Sequence, residues 1–124
     1  MSVVPGDLLE FEELPGRRSA DPMQRLDTAS SVRIVRAQRE EQRLAHRHPR
    51  SEEVIYVLRG SGTVYIDGVF HDVRPRDIVH IPLGAAHATI PNEGGEMELI
   101  CFFPNPNLSE NIEETNIDVM KGAR

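Results

Sequence analysis

Tryptophan is absent from this chain, and the other aromatics are only two tyrosines and four phenylalanines. A core must therefore be assembled from Val, Ile and Leu. There is a single cysteine, Cys101, so no intrachain disulfide can form. That usage is compatible with a reducing cytoplasm. No apolar run approaches the roughly 20 residues of a membrane-spanning helix, and a membrane location is not expected. The opening segment "MSVVPGDLLEFEELPGRRS" lacks the apolar stretch of a secretory signal and turns acidic early, so a cytoplasmic location is expected. Positive charge is also in deficit. Lys and Arg number 14 against 20 Asp and Glu, for a net charge of -6, which argues against a nucleic-acid partner. Neither an internal repeat nor a low-complexity block is visible.

What is present is one domain's worth of chain. Its 124 residues, 39% hydrophobic and 27% charged, suffice for one core without metal or disulfide staples. Residues 1–30 are punctuated by Pro5, Gly6, Pro15, Gly16 and Pro22. They read as an arm with one or two short strands, packing on the main body or on a partner subunit. "SVRIVRAQRE" (31–40) alternates, with Val32, Ile34 and Arg36 on one face and Arg33, Val35 and Ala37 on the other. Short β-rich runs then follow: "EVIYVL" (53–58), "TVYIDGVFHDV" (63–73), "DIVHIP" (77–82), "HATIPN" (87–92) and "EMELICFF" (96–103). The Asp67-Gly68 pair inside the second is a strong hairpin-turn signal. Strands at this spacing predict an all-β sandwich or barrel over residues 31–104. The tail, 105–124, reads as a short helix or a loose acidic end.

Two of the five histidines stand at i and i+2 in "AHRHPRSEEVIYVLRGSG" (45–62). On a strand, His46 and His48 share a face while Arg47 points away. Pro49 ends that strand, and Glu53 begins the next. Antiparallel pairing would bring Glu53 back beside the histidines, making it the better carboxylate of the Glu52–Glu53 pair. His87 follows the turn "PLGAA" and supplies a third imidazole. Three imidazoles and one carboxylate suit a divalent transition ion, Fe, Mn, Ni, Cu, Co or Zn, with positions left open for water or substrate.

These residues resemble a known family. "HRHPRSEEVIYVLRG" is similar to the first cupin motif at His46, His48, Glu53 and Gly60. "PLGAAH" is similar to the centre of the second, at Pro82, Gly84 and His87. The likeness covers about residues 31–103. Three turn positions depart from the pattern: Glu40 and Arg76 stand where glycine is usual, and Pro91 precedes Asn92 where asparagine closes the motif. The resemblance implies a small single-domain cupin: a double-stranded β-helix, or jelly roll, with one metal inside a conserved β-barrel, often dimeric. It also implies a small-molecule ligand. It leaves the reaction open, because cupins include dioxygenases, isomerases, lyases, decarboxylases and non-catalytic sensors.

The remaining candidates carry two readings each. Ile55, Val57, Leu99, Cys101 and Phe103 are expected to wall a pocket, although Cys101 is equally a small core residue. His80 shares a face with Ile78. Both faces of its strand are apolar, so parity does not decide between the pocket and the rim. His71 is expected to be exposed. Tyr56 and Tyr65 read as packing residues. Arg17 and Arg18 are candidates for holding a substrate carboxylate, against a surface or dimer-contact role. The leading expectation is a mononuclear metalloenzyme acting on a small polar organic substrate. The alternative is a non-catalytic binding or sensing cupin.

Overall fold

The structure, a computed structural model, describes residues 2–121. The last three positions of the expected tail lie outside the described residues. Eleven strands run in chain order: β1 (Phe11–Leu14), β2 (Arg17–Ala20), β3 (Ser31–Gln38), β4 (Leu44–Arg47), β5 (Glu53–Arg59), β6 (Gly62–Ile66), β7 (Val69–Val73), β8 (Ile78–Ile81), β9 (His87–Pro91), β10 (Glu96–Phe103) and β11 (Glu113–Asp118). They form two antiparallel sheets, ordered β1-β2-β3-β10-β5-β8 and β11-β4-β9-β6-β7.

The inner faces meet in an apolar core that includes Ile55, Val57, Val64, Val79, Ile81, Met97, Leu99 and Phe103. Alternation along β10 decides which residues enter it: Met97, Leu99, Cys101 and Phe103 are buried, while Glu96 and Phe102 are exposed. Each fully buried aliphatic side chain contributes about 1.5–3 kcal/mol, so the absence of tryptophan is offset by many smaller side chains.

The turns follow their sequence signals. Asp67 and Gly68 adopt φ values of 43° and 93° and join β6 to β7. Gly60 sits at φ 82°, and a Cβ there would strike the Glu96 carbonyl. Arg76, where glycine was expected, nevertheless takes φ 79°. Its N–H donates to the Val57 carbonyl at 2.7 Å, so backbone pairing imposes the left-handed turn on a residue that resists it.

Both ends of the chain add strands to the sheets. The arm's β1–β2 hairpin extends the six-stranded sheet, with Arg18, Ser19 and Ala20 opposite Arg36, Val35 and Ile34. The tail carries one 3-10 turn at Leu108–Glu110 and then β11. β11 pairs with β4 in place of the expected helix or loose end. Its sequence, EETNID, lacks an apolar alternation, because its inward contacts are few and Thr115 and Asp118 bond to β4 and to Arg43.

Candidate metal centre

His46 and His87 lie directly opposite each other across β4 and β9. Their ring centroids are 4.5 Å apart, and each is 5.2 Å from that of His48. One ligand atom from each of the three lies within 4.8 Å of the others. Glu53 reaches in from the opposite sheet. Its Oε1 is 2.9 Å from His87 Nε2 and 3.2 Å from His48 Nε2. The four sequence candidates are thus brought together, all of them less than a tenth exposed.

Hydrogen bonds orient the rings. His48 Nδ1 lies 3.0 Å from the Asn111 carbonyl, and His87 Nδ1 lies 2.9 Å from the Ala85 carbonyl. A carbonyl only accepts, so both Nδ1 atoms carry a proton, and in the neutral form of each ring Nε2 presents a lone pair. Those Nε2 atoms, Glu53 Oε1 and His46 Nδ1 are buried with no hydrogen-bond partner of adequate geometry. The short contacts to Glu53 are poorly aligned for N–H···O bonds. Burial pushes the His46 imidazolium well down, aided by the guanidinium charges of Arg17 and Arg43, so this ring is neutral. Burial alone would raise the Glu53 carboxyl, but contacts from His48 and His87 outweigh it and hold it well below the usual range. Buried polar atoms in this number are rarely left unmatched. Neutral imidazoles beside an ionised carboxylate form the donor set that a divalent transition ion requires, and these residues fit one.

The histidine cluster opens on a cavity of about 40 Å³. Ile55, Leu99, Cys101 and Phe103 line it as expected. Phe103 also meets His48 edge-on, with centroids 5.0 Å apart. Burial, then the Glu53 charge, raises the Cys101 thiol well above its ordinary value, so Cys101 is a protonated wall residue.

Two pocket candidates are corrected. Val57 lies opposite Leu99 but is wholly enclosed in the core and does not reach the cavity; its parity was right and its depth was not. His80 faces outward on the edge strand β8, with its side chain 58% exposed and its Nε2 2.8 Å from Glu52 Oε1. The inward positions of that strand belong to Val79 and Ile81. His71 is exposed, and Tyr65 packs against Phe70. Of the arm's two arginines, Arg17 is buried at the cavity, whereas Arg18 lies on the outer face near Glu13 and the Phe11 ring. Two further cavity residues, Arg33 and Arg43, had not been assigned a role. Alternation set Arg33 on one face of β3 with Val35 and Ala37 without deciding which face turns inward. Arg43 precedes β4, where alternation does not hold.

A small β-barrel with three histidines and a carboxylate facing inward is the class of structure these observations define. Residues 33–103 match the family described as "Cupin domain". The chain belongs to the cupin family. An uncharacterised protein of Methanocaldococcus jannaschii, MJ1618, is 32% identical over 71 residues, a match covering 56% of this chain and 56% of that relative. The chain thus spans about half the length of the curated relative it matches. Among solved structures, Streptomyces PAC13 with uridine superposes with a TM-score of 0.78 at 15% identity, covering 94% of this chain and 92% of that one. Another PAC13 structure, described as a nucleoside dehydratase, gives 0.75 at 17% identity over 93% and 91%. The Lactobacillus farciminis oxalate decarboxylase formate complex gives 0.75 at 21%, covering 89% of this chain and 34% of that one. These likenesses establish the fold. Among the described residues, no helix is long and apolar enough to cross a membrane.

Proposed function

We propose that this cupin is a mononuclear metalloenzyme that acts on a small polar organic molecule, with His46, His48, His87 and Glu53 holding the metal. The observation that carries this reading is the convergence of the three histidines, with buried, unpartnered atoms on them and on Glu53 beside His48 and His87. When bound, a divalent transition ion supplies Lewis acidity toward a substrate oxygen, or activates water or dioxygen. The Asn111 and Ala85 carbonyls hold the tautomers of His48 and His87. Glu53 contributes the only carboxylate in the cavity wall among the described residues. Ile55, Leu99 and Phe103 exclude bulk water around it. The partner is a small molecule, not a nucleic acid or a membrane. The assembly is a homodimer in the cytoplasm, as the family resemblance and the cysteine usage suggest.

A second reading, a non-catalytic binding cupin, is favoured by one observation. Once the four ligands are committed, the cavity wall retains as ionisable groups among the described residues only three arginines and the protonated Cys101, none of which exchanges a proton readily near neutral pH. Elemental analysis of protein purified from metal-replete cells tests the common part of both readings. About one equivalent of a transition metal is expected. Less than about a tenth of an equivalent after reconstitution would sink the metal site. Turnover of a candidate substrate that stops with chelator and returns with metal selects the enzyme. Ligand binding without turnover selects the binding module.

A further inference from the structure

We propose that Arg17, Arg33 and Arg43 form an anion subsite in the cavity that the histidine cluster opens on, and that the small molecule taken up there carries a carboxylate. This rests on the reading of the cavity as a small-ligand site, and it adds the ligand's charge and chemical class.

Three guanidiniums line a wall whose only carboxylate among the described residues is Glu53. The three arginines are 7%, 5% and 5% exposed. Their other partners do not balance them. Arg17 has Glu114 at 3.7 Å, a residue 40% exposed, and donates to the Pro15 carbonyl at 2.8 Å. Arg33 has Asp21 at 3.5 Å and Ser19 Oγ at 3.3 Å. Arg43 donates to the Pro15 carbonyl at 2.6 Å and has no carboxylate in ion-pair range among the described residues. The Nε atoms of Arg33 and Arg43 are buried without a partner. A buried N–H left unmatched costs stability, and an uncompensated buried charge costs more.

Placement points to a ligand spanning two anchors. Arg33 stands opposite Cys101 on β10, and Cys101 stands opposite Ile55 on β5, so one inward rung carries the guanidinium beside two cavity residues. A guanidinium fork matches a planar carboxylate with two parallel hydrogen bonds.

The test is a titration of the full chain, chelator-treated and metal-loaded, with acetate, its neutral isostere acetamide, and inorganic phosphate. Arginine Nε–H resonances are followed by NMR and melting by circular dichroism. Acetate is expected to shift the Arg33 and Arg43 Nε–H signals and raise the melting temperature even without metal. Acetamide should bind at least about tenfold more weakly. Arg33→Gln and Arg43→Gln should each weaken acetate about tenfold or more while metal uptake stays at the wild-type level. Equal binding of acetate and acetamide overturns the proposal, as does acetate binding only with metal and indifferent to both substitutions. No acetate binding in either state does so as well. Phosphate binding tighter than acetate overturns the carboxylate assignment. The wild-type comparison needs no variant, so an unfolded variant leaves it decisive. Loss of metal uptake with acetate binding intact sinks the metal reading alone.

Discussion

Arg33 and Arg36 stand on the same strand, β3, and face opposite sides of one sheet. On the outer face, Arg36 Nε lies 3.0 Å from Glu98 Oε2, and its guanidinium sits 4.2 Å over the Phe11 ring. Arg59 closes on the other oxygen of Glu98 at 3.0 Å. These groups border an open groove of about 590 Å³ in which acidic and basic side chains alternate. On the inner face, Arg33 is 5% exposed and its Nε has no partner. On the outer face the guanidiniums pair closely with a carboxylate, whereas the buried Arg33 has Asp21 only at 3.5 Å, and an Nε without a partner. Stability alone would favour the opposite distribution. The difference marks the inner face as the one shaped by a ligand.

The comparison breaks hardest at the metal cluster. His48→Ala should lower metal affinity by more than the roughly 10–100-fold typical of losing an outer partner, measured by competition with a chromogenic chelator; wild-type uptake would remove His48 from the ligand set. Next in size is Arg33→Met. If the inner charge is a liability of the empty protein, urea denaturation should show stability unchanged or raised by about 1 kcal/mol. A loss above about 2 kcal/mol would make Arg33 a structural residue. Arg76→Gly carries the comparison to the backbone, since its left-handed φ is strain without a ligand nearby. Stability should rise by about 0.5–1 kcal/mol, read from the shift in denaturation midpoint. Smallest is Glu98→Gln on the outer face, with a loss of about 0.5 kcal/mol. Burial pushes the Glu98 carboxyl up, but Arg36 and Arg59 outweigh it and leave it below its ordinary value of 4.5. A lowered acid contributes stability above its unfolded value and loses it as pH falls through the folded one. The wild-type advantage should therefore be full above about pH 4.5 and vanish in stronger acid. A difference independent of pH would contradict the ion pair.

The four candidate ligands were legible because each sits at or next to a strand end marked by its neighbours in sequence. His46, His48 and Glu53 are tied by parity and one turn, and His87 follows a turn of recognisable composition. Strand parity placed Leu99, Cys101 and Phe103 on the inward face, and set Arg33 on one face with Val35 and Ala37 without deciding which face turns inward. Parity specifies a face and not a depth, so Val57 was placed in the pocket although it is sealed in the core. On β8 both faces are apolar in sequence, and only the register with β5, which sets His80 opposite Val54 and Val79 opposite Ile55, decides that His80 turns outward. Arg43 escaped notice because it lies just before β4, outside any alternating run. β11 escaped because a strand with few inward contacts needs no apolar pattern. Its presence is decided by a partner, β4, some seventy residues earlier.

The eight-rung ladder between β3 and β10, from Glu96 opposite Gln38 to Phe103 opposite Ser31, has a practical consequence. A slip of one residue would turn Arg33 out to solvent and bring Ile34 in. It would break the Arg36–Glu98 pair at the same time. A molecule paired out of register would keep its mass and much of its strand content, yet have no charged wall to bind with. Anion binding per mole of chain would then count the correctly assembled fraction of a preparation, which spectra of the backbone do not.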